Sequence, residues 1–217
     1  MKKLGISLLA TMGMAWALGL GFGLGGDVGY GMGSWKAEDT SGSYELNGSG
    51  PLYGGGAKID LWITEALGLD LGVRYDIANA SGKAKLNGTE ADSTTTGQAT
   101  LLVIPIFLKY GLPMTGMKPY FGLGFSVVKE MSAKSKYGEG DWEAVDDTLL
   151  EMDYALLAGG GLNMPLGPVI LNPDLRLLYN LTPLRKGDTL PGVDYSASQM
   201  EFILGVNFLY SLPLAGE

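Results

Sequence analysis

The chain has 217 residues, of which 35 are glycine and none is cysteine or histidine. Those two absences exclude disulfide frameworks, zinc–cysteine sites, thiol catalysis and every Ser-His or Asp-His catalytic unit. Lys+Arg number 15 against 23 Asp+Glu, and the net charge of −8 argues against a nucleic-acid binder, which needs a basic patch for phosphates.

The N-terminus reads as an export signal. Lys2 and Lys3 precede an uncharged stretch from Leu4 to Trp16, and Ala15-Trp16-Ala17 supplies an A-x-A cleavage site. The glycines of Leu18-Gly19-Leu20-Gly21 oppose continuation as a membrane helix. Residues 1–17 are therefore expected to be a signal peptide and 18–217 a single domain. Beyond the leader no uninterrupted apolar run reaches the ~18 residues of a spanning helix.

One pattern then recurs eight times. Strand one, 20–35, alternates Leu20, Phe22, Leu24, Val28, Tyr30 and Met32 with Gly21, Gly23, Gly25, Asp27, Gly29, Gly31 and Gly33. Strand two, 53–63, sets Tyr53, Ala57, Ile59, Leu61 and Ile63 against Gly54, Gly56, Lys58, Asp60 and Trp62. Strand three, 67–77, is the clearest, with Leu67, Leu69, Leu71, Val73, Tyr75 and Ile77 opposite Gly68, Asp70, Gly72, Arg74 and Asp76. Such period-2 alternation is a strand with one apolar and one polar face. Strand four, 100–110, is apolar on both sides. Strands five (119–129), six (152–164), seven (169–180) and eight (199–210) resume the alternation. The eleven residues of strand three match the ~9–11 of a tilted membrane-crossing strand.

The connections alternate in length. Long polar stretches are expected at 37–51, 79–98, 131–150 and 182–197, and short turns at 64–66, 111–118 and 165–168. Long loops outside and short turns at the periplasm are the plan of a transmembrane barrel. An eight-stranded interior has room only for filling side chains, so the crowded apolar face belongs outside and the glycine-rich face inside. Tyr30, Tyr53, Tyr75, Tyr110, Tyr154, Tyr179 and Tyr210 sit towards strand ends, as an interfacial girdle requires.

Ile104-Pro105-Ile106-Phe107-Leu108-Lys109-Tyr110, followed by Lys118-Pro119-Tyr120-Phe121-Gly122-Leu123-Gly124, resembles the mid-barrel hairpin of the bacterial outer-membrane β-barrel domain family. The last strand, with Gly205, Phe208 and Tyr210, is similar to the signal read by the barrel assembly machinery, although Ile203 stands where that signal usually has a polar residue. The resemblance implies an outer-membrane protein whose partners are membrane lipid and the assembly machinery.

Candidate chemistry has simpler explanations. Gly21-Phe22-Gly23-Leu24-Gly25-Gly26 satisfies G-x-G-x-x-G but continues as strand, without the following helix that dinucleotide binding needs. Asp27, Lys58, Asp60, Asp70, Arg74, Asp76, Lys109, Asp153, Asp174, Arg176 and Glu201 fall on the lumen face. Paired carboxylates there could act as acid and base. A lumenal ion-pair network is favoured, because an isolated buried charge is expensive. Glu139, Asp141, Glu143, Asp146 and Asp147 match no calcium-loop template and read as a solvated acidic loop. Asn47-Gly48-Ser49, Asn79-Ala80-Ser81, Asn87-Gly88-Thr89 and Asn180-Leu181-Thr182 read as chance glycosylation patterns.

The expectation is an all-β, eight-stranded, antiparallel up-and-down transmembrane β-barrel, monomeric, in the outer membrane, with a side-chain-filled lumen. Its role would be structural or surface-binding, through four extracellular loops that could meet an extracellular ligand. No catalytic residue, cofactor or metal is assigned and no nucleic acid is expected. The alternatives are a lipocalin-like soluble carrier of an apolar ligand and a barrel-embedded lipid-modifying enzyme.

Overall fold

Alternating glycine and bulky apolar residues fold as expected into strands that close on themselves. The computed structural model describes residues 19–39, 42–112, 114–144, 152–181 and 194–212. The leader at 1–17 lies outside them, as do most of 182–197 and the end of 131–150. The strands are β1 (Gly19–Asp39), β2 (Gly42–Trp62), β3 (Leu67–Leu86), β4 (Thr89–Gly111), β5 (Lys118–Tyr137), β6 (Glu143–Ala144), β7 (Met152–Leu166), β8 (Val169–Asn180) and β9 (Asp194–Leu212). Every neighbouring pair is antiparallel, and β1 pairs with both β2 and β9. Pairing of β4 with β5 closes the ring, so eight strands form the barrel and β6 is a short flap on the free outer edge of β5.

The apolar face is outside. Leu24 and Leu123 are each 70% exposed, and all seven tyrosines of the expected girdle point outward. Tyr30, Tyr53, Tyr75, Tyr154 and Tyr179 mark one rim, and Phe22, Tyr110, Phe121 and Tyr210 the other. From Phe22 to Tyr30 the strand climbs about 26 Å, which after tilt suits the ~25 Å apolar band of an outer-membrane barrel. The buried side chains include Lys58, Asp60, Asp70, Lys109, Asn172 and Arg176. A lipocalin-like carrier would need the reverse arrangement, apolar inside.

Strand four is settled by its register. Val103 and Phe107 are buried inside, while Ile104 and Leu108 face out. Pro105 also points inward, and pairing of β3 with β4 skips Gly72 and Val73 opposite it, because proline has no N–H to give the ladder. A bulge separates Thr100 from Leu101, which pair with Ser132 and Glu130 and leave Met131 as the extra residue on β5.

The long connections are corrected. Residues 42–51 and 79–98, apart from the turn at Asn87-Gly88, are strand rather than loop, and β1 to β5 run well past the girdle. These outer ends are rich in Gly, Ser and Thr and meet water on both sides, so no apolar period marks them although their backbone is fully laddered. Residues 131–137 likewise continue β5, and 194–197 begin β9. The β3–β4 hairpin turns on Asn87 (φ 51°) and Gly88 (φ 79°), both left-handed. Positive φ at both central residues is the tight hairpin geometry that Asn-Gly favours.

Candidate functional site

Inward residues of neighbouring strands meet because register sets them at the same height. Asp60 on β2 pairs with Asp70 on β3, and Lys109 on β4 is opposite Gly68 one step along. Lys109 donates to Asp60 Oδ1 at 2.8 Å and lies 2.6 Å from Asp70 Oδ1. Lys58 reaches Asp70 Oδ2 at 2.8 Å and donates to Asn172 Oδ1 at 2.8 Å. Arg176 donates to Asp174 Oδ2 at 2.7 Å. Asn172 donates to Tyr120 and Asn163, Asn163 to Asp60, and Asn207 to Asp174. A second cluster stands above the first: Arg74 forks onto both carboxylate oxygens of Asp27 and binds Asp76 at 2.7 Å. Together the two clusters draw on all eight barrel strands.

Apolar groups fill the gaps. The Phe107 ring lies 5.7 Å from the Arg176 guanidinium, and Leu157, Ile203 and Leu209 are almost wholly buried beside the charges. Ile203, the departure from the assembly signal, therefore packs inside. At the periplasmic end Trp62 caps the lumen, with Lys118 Nζ 3.3 Å and Lys109 Nζ 4.5 Å from its ring centroid. The inner glycines make this density possible. A Cβ on Gly23 would stand 2.6 Å from Leu209 Cδ2, and one on Gly25 2.8 Å from Asn207 Cγ. The G-x-G-x-x-G pattern lies wholly within β1, and of its three glycines Gly23 is the one that close packing requires.

Above Arg74 the lumen opens. A cavity of about 400 Å³ is walled by small residues, among them Gly33, Gly48, Gly50, Ala80, Gly97 and Ala133, over a floor containing Leu52 and Leu178. The expectation of a lumen filled throughout is corrected: only the periplasmic part is plugged. Side-chain size explains the difference, because the inner face changes from charged and aromatic residues to glycine and alanine towards the outer rim. Asp153 and Glu201, placed on the lumen face from sequence, line this vestibule rather than the plug. Glu130 joins them, and only its alternation with Ser126 and Val128 along β5 could have found it.

Of the five acidic residues read as a third loop, Glu143 lies in β6 and Glu139 and Asp141 in the turn before it, while Asp146 and Asp147 lie outside the described residues. Among the described residues no group of three or more acidic side chains is arranged to hold a metal ion. Beyond the membrane, Lys83 lies 2.9 Å from Glu90 across the β3–β4 hairpin, and this hydrogen bond holds the Glu90 carboxyl below its ordinary range.

Similar solved structures include OprG from Pseudomonas aeruginosa (12% identity, 89% of this chain and 97% of that one, TM-score 0.49) and Neisserial surface protein A, NspA (18%, 86% and 95%, TM-score 0.39). Another is Ail of Yersinia pestis in complex with the heparin analogue sucrose octasulfate (15%, 88% and 99%, TM-score 0.36). No curated protein matches the sequence. The model of the outer membrane protein beta-barrel domain matches residues 10–186. With its lipid-facing apolar belt, girdled rims and charged interior, the chain is an outer-membrane protein and belongs to the outer membrane protein beta-barrel domain family.

Proposed function

We propose that the protein is a non-conducting, non-enzymatic outer-membrane barrel with a structural or surface-binding role, exercised at its outer end. The observation that carries this reading is the plug. Buried ion pairs and Trp62 cross the periplasmic part of the lumen, so solute has no evident path through. The plug carboxylates are engaged by Lys58, Arg74, Lys109 and Arg176, which favours structure over acid–base work. The vestibule and the protruding strand ends face outward and are the part of the barrel an extracellular ligand could reach. In this reading the barrel acts as a monomer, and the assembly machinery would read its last strand through Gly205, Phe208 and Tyr210.

Planar-bilayer conductance of the refolded protein tests the plug. Steady silence is expected. Steady conductance by the unmodified protein would overturn the reading.

A further inference from the structure

The vestibule differs from the plug in charge. Among the described residues its lining carries three carboxylates, Glu130 on β5, Asp153 on β7 and Glu201 on β9, against one ammonium, Lys134. Lys134 Nζ packs 5.0 Å from the Trp142 ring centroid, within cation–π range. Arg74, at the top of the plug, is committed to Asp27 and Asp76. Register spreads the three acids around the wall. Asp153 pairs with Val128, one inward step before Glu130, and Glu201 stands between Gly31 on β1 and Leu178 on β8. A short relay aims the last of them: Asn180 donates to Gln199, and Gln199 donates to Glu201 Oε1 at 2.7 Å.

Floor and mouth are apolar. Leu52 and Leu178 lie beneath, and Leu101 is the register partner of Glu130. Towards the outer rim Trp35 and Leu46 are register partners that both line the cavity, and the Tyr44 ring meets Trp35 edge-on at 5.3 Å. Trp35 is four residues beyond Gly31, the partner of Glu201, so the aromatic mouth stands about 13 Å above that carboxylate. A guest would thus have acids at its sides, leucines below and an indole above. The cavity of about 400 Å³ is within the size range of small-ligand pockets.

Charge decides which guest fits. An anion would be repelled, and an uncharged apolar body would press carboxylates against hydrocarbon. A bare metal ion fits no better, because among the described residues no three acids are grouped to hold one. A cation with an apolar body meets both demands: its ammonium makes charge-assisted hydrogen bonds to carboxylate, and its body covers the leucines. We infer that the vestibule binds amphipathic organic cations, an ammonium group joined to a compact aromatic or aliphatic body, through Glu130, Asp153 and Glu201 over Leu52 and Leu178. The inference rests on the outward-facing binding role proposed above and gives that role its ligand class.

The test titrates 4-phenylbutylamine and 4-phenylbutyrate, one body with opposite charges, into the full barrel in phosphatidylcholine nanodiscs by calorimetry, with empty nanodiscs as the blank. The amine should bind saturably, and the carboxylate and ethylamine, which lacks the body, at least tenfold more weakly. Glu201→Gln/Asp153→Asn should weaken the amine by about tenfold per carboxylate removed. Ala80→Phe, which fills the cavity and leaves the acids in place, should abolish binding. Equal binding of amine and carboxylate by the unmodified protein would overturn the inference, as would amine heats no larger than those of empty nanodiscs; neither measurement needs a variant to fold. Unchanged amine affinity in both variants would overturn it as well. A barrel that is silent in planar bilayers yet binds no amine loses this site alone, whereas steady conductance overturns the plugged-barrel reading whatever the calorimetry shows.

Discussion

Asp60 and Asp70 are direct register partners on β2 and β3, with both carboxylates buried inside the barrel. Like charges opposed in this way repel. Here the pair is held by Lys109, a fully buried ammonium 2.8 Å from one carboxylate and 2.6 Å from the other. Lys109→Met should therefore be severe. Removing one partner of a buried ion pair typically costs about 3–5 kcal/mol, and here it strands two anions. Urea unfolding in lipid vesicles should show a loss of this size, with Lys109→Met/Asp60→Asn recovering part of it. A midpoint unchanged in Lys109→Met would mean that the network carries no stability.

The orientation of β3 can be read one residue at a time, because any introduced thiol is unique in a chain without cysteine. Leu71→Cys should carry a fluorophore that brominated lipid tails quench, while Asp70→Cys and Gly72→Cys should resist labelling in the packed lumen. Quenching at Gly72→Cys and protection at Leu71→Cys would reverse the barrel's faces.

What the sequence made legible was whatever repeats with period two against a hydrocarbon boundary. Leu67 to Ile77 shows strand, facing and span at once, and the charged plug follows from the parity of Asp60, Asp70, Arg74, Lys109 and Arg176. The partners within the plug did not follow, since contacts such as Lys58 to Asn172 join residues 114 positions apart. The outer strand ends were also hidden. Water on both faces removes the amphipathic signal, and Asn87-Gly88 read as a chance glycosylation pattern although it is also a hairpin turn. The vestibule was missed for a related reason: glycines at 31, 33, 48 and 50 match those of the packed region in type, and only the absence of large neighbours leaves space.

Gly122 and Gly124 lie opposite Lys109 and Phe107 in register. They are small because their partners are large. A Cβ on Gly122 would collide with the Leu108 carbonyl and stand 2.9 Å from Phe107 Cζ. The backbone cannot yield without breaking the β4–β5 ladder. Gly122→Val should therefore prevent closure of the barrel. On an unheated denaturing gel the folded, differently migrating form should disappear, whereas Gly97→Ser, whose added Cβ meets only the Lys134 carbonyl at 3.9 Å, should retain it. A normal heat shift in Gly122→Val would show that the lumen is looser than these contacts require.

The outer hairpin gives the last prediction, and it separates strand from loop at 79–98. The Asn87 side-chain oxygen accepts from the Ser43 N–H at 2.8 Å, and the Asn87 N–H donates to the Ser43 carbonyl at 2.8 Å. The tip of β3–β4 is thus fastened to the start of β2. Trypsin needs several residues of free backbone, and here Lys83 and Lys85 are laddered on both sides. Intact cells should therefore yield no cleavage after either lysine, although both lie outside the membrane on an exposed hairpin. Gly88→Val should change this. A β-branched residue is strongly disfavoured at positive φ, and the turn needs positive φ at both central positions. Loss of the turn releases the Asn87 contacts with Ser43 and frays the strand ends, so cleavage after Lys85 should appear while the heat-modifiable barrel persists. Mass spectrometry of the released peptides reads both arms. Cutting after Lys85 in the unmodified protein would show that this segment behaves as a loop despite its ladder.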